Sequence, residues 1–197
     1  KLLMHAARAP EHAWYAQRWN VPLPGNLREA FDAPGRPAAH GEFHRAWGYT
    51  LGAIPDEKAR WDRFNDFYFN SLRSVDRQLV TLLDELAALG LEQDTIVVFT
   101  SDHGEMGGAH GLRGKGPMAY KENIHIPMYI VHPDVEGGQD CRALTGHIDL
   151  VPTLLAMAGM SPQAAADAAG RALPGKDLGP LFTRPGAAAT HAIRDSV

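Results

Sequence analysis

The stretch TIVVFTSDHGEMGGAHGLRGKG, residues 95–116, decides how this chain is read. It opens as a β-branched, nearly continuous apolar run, TIVVFTS. Such a run fits a strand covered on both faces, as in a parallel sheet between layers of helices. The chain then turns charged at Asp102 and His103 and sets six glycines within residues 104–116. Neighbouring side chains of a regular strand point to opposite faces. Asp102 and His103 can therefore converge only where the chain leaves the strand, and Gly104 permits a sharp exit. Ligands sit at the carboxyl ends of strands in open α/β sheets. An acid beside an imidazole at such an end is a candidate pair of metal ligands for a divalent cation of intermediate hardness. Calcium is less at ease with the imidazole.

The blander alternative makes Asp102 a turn cap and His103 a loop residue. The company of the pair argues against it. Glu105, His110, Arg113 and Lys115 follow, interleaved with glycine. Glycine lets backbone approach a compact anion, and lysine supplies a mobile point charge for its oxygens. A phosphate-cradling P-loop is excluded, because Ala109 and Gly116 stand where that pattern needs Gly and Ser or Thr.

Upstream, Trp61, Phe64, Tyr68, Leu72, Val75, Leu79, Leu82, Leu86 and Leu89 recur every three or four positions. This predicts a helix over 56–89 with its stripe toward a core, stopped by Gly90. Downstream, PMYIVH at 127–132 reads as a second short strand. HIDLVPTLLAMAG reads as a helix starting near Asp149, with Pro152 in its first turn, Asp149 as its cap and Gly159 at its end. LPGKDLGPLF reads as a loop and a last short helix. A helix, a tight turn and a buried strand in succession argue an α/β layered fold. The expected organisation is an irregular, loop-rich segment over 1–55, an α/β core over 56–183 and a tail over 184–197. In the first segment His40 and His44 read as solvated loop residues. Trp14, Trp19 and Trp47 read as packing groups there.

The bulk numbers exclude some partners. The 197 residues carry a net charge of −4, with 45% apolar and 21% charged residues. That offers no general attraction to nucleic acid or to anionic membranes. No apolar run approaches the ~20 residues that span a bilayer. The single cysteine, Cys141, excludes an internal disulfide and a multi-cysteine zinc site.

Taken together, LRSVDRQLVTLLDELAALGLEQDTIVVFTSDHGE, HGLRGKGPMAYKENIHIPMYI, HIDLVPTLLAMAGM and LPGKDLGPLF resemble the sulfatase family of the alkaline-phosphatase-like superfamily, over roughly residues 66–183. The resemblance implies an alkaline-phosphatase-like sheet sandwiched by helices, present here as a partial domain, and a sulfuric ester hydrolase. It implies that Asp102 and His103 are metal ligands, for calcium or manganese, and that Lys115 contacts the sulfate and its bridging oxygen as a catalytic and substrate-binding residue. It places His110 in the same loop as a pocket-lining, substrate-binding residue, and it gives His5 as a candidate substrate contact. The implied substrate is a small-molecule or glycan sulfate ester. Ala109, often Asp in such proteins, and Arg113, where an aromatic is common, are departures that bear on substrate preference. The formylglycine pattern Cys/Ser-x-Pro-x-Arg does not occur in the sequence. The nucleophile and the remaining metal ligands are therefore expected before Lys1.

Two alternatives stay open at this point. One is a phosphonate monoester or phosphodiester hydrolase of the same superfamily. The other is a non-catalytic remnant. Phosphoethanolamine transferases share Ser-Asp-His-Gly-Glu but generally lack the His-Gly-Leu-x-Gly-Lys pattern, which disfavours them.

Overall fold

A computed structural model describes residues 15–182. His5, Trp14 and the expected tail lie outside the described residues. The chain divides into two compact units. One comprises residues up to Leu91 together with Phe99–Met128, and the other comprises Glu92–Val98 together with residues from Tyr129 onward.

In the first unit, helix α1 spans Ala38–Leu51 and helix α2 spans Lys58–Ala88. The α2 bounds match the periodic stripe to within two residues at each end. Its first half is the packed half: Trp61, Asn65 and Asn70 are buried. Asn70 donates to the Gln17 and Asp66 carbonyls at 2.9 and 2.7 Å, which satisfies a buried amide. Further along, Leu72, Val75, Leu82 and Leu89 are 46, 54, 64 and 68% exposed, so the expected core-facing stripe is covered only over its first turns. Helix α1 replaces the loop expected there. His40 and His44 accordingly sit on a helix, not in a solvated loop. His40 is buried, and the His44 ring lies 4.5 Å from Phe31.

Strand β1 (Val97–Thr100) pairs with β2 (Met128–Val131) in a two-stranded sheet. Every β1 residue is half-buried, where the apolar run led us to expect cover on both faces. Between the strands the chain makes the glycine-rich loop and the short helix α3, Lys121–Ile124. That loop is not slack. Met106, Ala109, Leu112 and Met118 form a buried cluster, against which Phe31, Phe43 and Tyr120 pack. The loop is held from its inner side by the hydrophobic effect, which leaves its polar residues to face outward.

In the second unit, α4 (Leu150–Met157) begins where HIDLVPT predicted, and α6 (Gly179–Phe182) is the short last helix. Between them, α5 (Pro162–Ala169) was not anticipated. Its ends carry the standard signals: the Ser161 hydroxyl accepts the Ala164 N–H at 3.2 Å, Pro162 opens the first turn, and Gly170 closes the helix at φ 67°. Asp149 is wholly buried. Its side chain makes no cap bond to the first turn of α4; it reaches back to accept the Gly146 N–H at 2.8 Å and also accepts the Lys176 N–H at 2.8 Å.

Candidate active site

The site grows from the exit of β1. Ser101 donates to the His103 carbonyl at 2.8 Å, and the Gly104 N–H donates to the Asn123 carbonyl at 2.8 Å. The backbone is turned so tightly against α3 that a Cβ on Gly104 would stand 1.9 Å from the Glu122 carbonyl oxygen. Glycine is required here by close approach. The turn brings Asp102 and His103 to one side. Asp102 Oδ2 lies 3.2 Å from His103 Nε2, and Asp102 Oδ1 accepts the His103 N–H at 2.9 Å. Both side chains reach solvent, Asp102 at 80% and His103 at 36% exposure.

The imidazole is oriented by its other nitrogen. His103 Nδ1 is 2.8 Å from the Gly104 carbonyl, which can only accept, so Nδ1 carries the proton. Nε2 then faces the Asp102 carboxylate, where a proton or a bound cation can bridge the two groups. Two donors bound to one cation at about 2.1–2.4 Å stand roughly 3.0–3.4 Å apart at a right angle. Donation of the second ring N–H to a backbone carbonyl is also the usual support of a metal-bound histidine. The residues present thus fit a divalent cation as a pair. Among the described residues no group of three or more His, Cys, Asp and Glu side chains gathers around a common point. At Asp102, partial desolvation works to raise the carboxyl pKa. The His103 N–H, the His103 charge and the Lys115 ammonium outweigh it, so the carboxyl is held below its ordinary 3.8.

Lys115 is exposed, and its charge is felt at Asp102. Two side chains fix its backbone. The Glu105 carboxylate accepts the Gly107 N–H at 3.1 Å and the Gly114 N–H at 2.6 Å, and the Met106 N–H donates to the Gly114 carbonyl at 3.1 Å. The buried Asn123 amide donates to the Lys115 carbonyl and, at 3.0 Å, to the Met118 carbonyl. Sequence reasoning counted Glu105 among the charged neighbours but gave it no task. Asn123 carried no signal.

His110 sits apart from the Asp102–His103 pair in its contacts. It adopts φ 56°, the left-handed region. Its Nδ1 lies 2.5 Å from Glu29 Oε2, and its ring stacks on Tyr120 at 4.0 Å between centroids and 14° between planes. The partner Glu29 is 81 residues distant in sequence. Arg113 does not join the anion-facing set. Its guanidinium donates to the Trp47 carbonyl at 3.3 Å and to the Gly52 carbonyl, tying the loop to the C-terminal end of α1.

The family now follows from comparison. The sulfatase family model matches residues 8–160, most of the chain, and the chain belongs to the sulfatase family. It is 36% identical over 121 residues to an ulvan-active sulfatase of Formosa agariphila, covering 60% of this chain and 22% of that protein. The structure of BT4656 in complex with its substrate D-glucosamine-2-N,6-O-disulfate superposes with a TM-score of 0.70 at 22% identity. That alignment covers 90% of this chain and 45% of that one, and establishes the fold. A phosphonate monoester hydrolase from Silicibacter pomeroyi superposes with a TM-score of 0.69 at 28% identity, over 85% of this chain and 33% of that one. The chain spans about a fifth of the length of the curated relatives it matches. Among the described residues no helix is long and apolar enough to cross a membrane.

Proposed function

We propose that this chain supplies the cation-binding pair and the leaving-group lysine of a sulfuric ester hydrolase acting on a sulfated small molecule or glycan. Asp102 and His103 would hold one divalent cation, manganese or calcium, with further donors from outside the described residues. That cation, when bound, polarises the sulfate oxygens as a Lewis acid. Lys115 places a positive charge where the departing alkoxide or phenoxide gains negative charge as the sulfur–oxygen bond breaks. The overall change is addition of water across that bond, giving an alcohol and a sulfate. The nucleophile, a hydrated formylglycine aldehyde by family resemblance, is proposed to come from outside these 197 residues.

The observation that carries this reading is the convergence of Asp102 and His103 at 3.2 Å beside a Lys115 held by Glu105 and Asn123, in a chain of the sulfatase family. The ulvan-active relative favours a sulfated glycan as substrate. The neighbouring phosphonate monoester hydrolase keeps one competing reading in play, an aryl phosphodiester or phosphonate ester. The test compares a chromogenic aryl sulfate with an aryl phosphodiester on the whole protein. Faster turnover of the sulfate ester is expected, with Lys115→Ala lowering it about 10²-fold at an unchanged melting temperature. A preference for the phosphodiester, or a loss in Lys115→Ala that only parallels a loss of folding, contradicts the proposal.

A further inference from the structure

The segment over residues 26–36 converges on one histidine. Asn26 Oδ1 accepts the His110 N–H at 3.0 Å. Arg36 donates to the His110 carbonyl at 2.5 Å and to the Glu29 and Ala30 carbonyls at 2.8 and 3.2 Å. Its guanidinium stacks 4.2 Å over Phe31, is nearly buried and stands 3.8 Å from the Glu29 carboxylate. These contacts hold His110 in a left-handed backbone conformation that non-glycine residues adopt at a cost. Such a cost is tolerated when the surroundings over-determine it, and strained positions cluster at working sites.

The imidazole itself has one nitrogen engaged. Nδ1 meets Glu29, Tyr120 covers one ring face, and Nε2 has no hydrogen-bond partner among the described residues. The other ionisable groups facing this corner are Arg36, His40 and Tyr120. Burial first, then the Arg36 and His110 charges, keep the His40 pKa below its ordinary 6.5, while Glu29 works the other way. His40 Nδ1 accepts from Arg36 Nε at 3.3 Å, with the Tyr120 hydroxyl 3.5 Å away. His40 thus braces Arg36 and Tyr120 and makes no contact with Glu29.

We propose that Glu29 is a positioning residue for His110: by accepting from Nδ1–H it fixes the ring and leaves Nε2–H to donate to an oxygen of the sulfate ester or to its leaving oxygen. This rests on the sulfatase reading above. The logic is that of other carboxylate–histidine pairs, in which the carboxylate sets the tautomer and orientation of an imidazole that does the contacting. Glu29 itself touches no substrate. Its own carboxyl is held below the ordinary 4.5, chiefly by the His110 hydrogen bond, with the His110, Arg36 and His40 charges adding to it against a smaller desolvation effect.

The experiment uses the whole protein with Glu29→Gln, His110→Asn and the double variant. Asparagine tolerates the left-handed backbone, so folding is preserved. With an aryl sulfate, Glu29→Gln should lower kcat/KM about 10-fold, with the fall in kcat. The double variant should be no worse than His110→Asn alone, as for two residues acting as one unit. Multiplicative losses, or a Glu29→Gln enzyme with unchanged kcat and only a lower melting temperature, overturn the proposal. A second readout is independent of the substrate assignment. The ¹⁵N shifts of His110 should report protonation at Nδ1 in the native protein and a mixture in Glu29→Gln. If aryl sulfate is not hydrolysed at all, the sulfatase reading fails while these shifts still decide the Glu29 pairing; shifts identical in both proteins overturn it. The paired carboxylate contributes stability above its unfolded pKa and loses it as pH falls through the lower folded value. The melting-temperature gap to Glu29→Gln should therefore close as pH drops below 4.5.

Discussion

Two corners of this molecule are built with the same devices and end in opposite states. At the exit of β1, the Glu105 carboxylate gathers the Gly107 and Gly114 N–H groups, and Gly104 is pressed against the Glu122 carbonyl. At the start of α4, the Asp149 carboxylate gathers the Gly146 and Lys176 N–H groups, and a Cβ on Gly175 would stand 1.8 Å from the Ile148 carbonyl oxygen. The second corner is shut. Asp149 is wholly buried, and Thr153 bonds both the Asp149 carbonyl and the Leu178 N–H, at 2.6 and 2.9 Å. The first is open: the clamp ends beside Asp102 at 80% exposure and an exposed lysine. A buried carboxylate clamp that gathers backbone N–H groups makes a joint. One that leaves an acid, an imidazole and an ammonium facing solvent has a use beyond folding.

That contrast breaks first at the glycines. Gly175→Ala and Gly104→Ala each force a backbone shift and should cost more than about 3 kcal/mol in denaturant unfolding. Mild cost at either position would mean that its carbonyl contact is not the constraint. Next comes Asp149→Asn. A buried carboxylate that accepts two backbone N–H groups should cost about 2–4 kcal/mol when its charge is removed. Glu105→Gln, half-buried and keeping the one oxygen that accepts both bonds, should cost about 1 kcal/mol. Reversal of that order would remove the distinction between a shut and an open corner. The smallest effect on stability belongs to Asp102→Asn. Its melting temperature should match the parent's while sulfate ester turnover falls steeply, and a stability loss equal to that of Asp149→Asn would make Asp102 another joint.

Much of the fold was legible because its signals are local. The three-to-four spacing from Trp61 to Leu89 set α2. The β-branched run set β1, and Asp149 with Pro152 set the start of α4. Helix α1 was missed because Gly41 and Gly48 lower helix propensity, and tertiary contacts such as His44 against Phe31 override it. Helix α5 was missed although Ser161-Pro162 and Gly170 frame it, since its alanines give no apolar stripe. Asp102 and His103 were readable as a converging pair from Gly104 alone. Glu29, Arg36 and Asn123 were not, because their tasks are set by folding across the sequence: Glu29 meets a residue 81 positions away.

The uncovered half of α2 has a practical side. Val80 and Leu83 join Leu72, Val75, Leu82 and Leu89 in showing large aliphatic groups to water along that helix. Handled on their own, these 197 residues should behave as a sticky colloid. Dyes that fluoresce on oily surfaces would light up, and salting would precipitate them early.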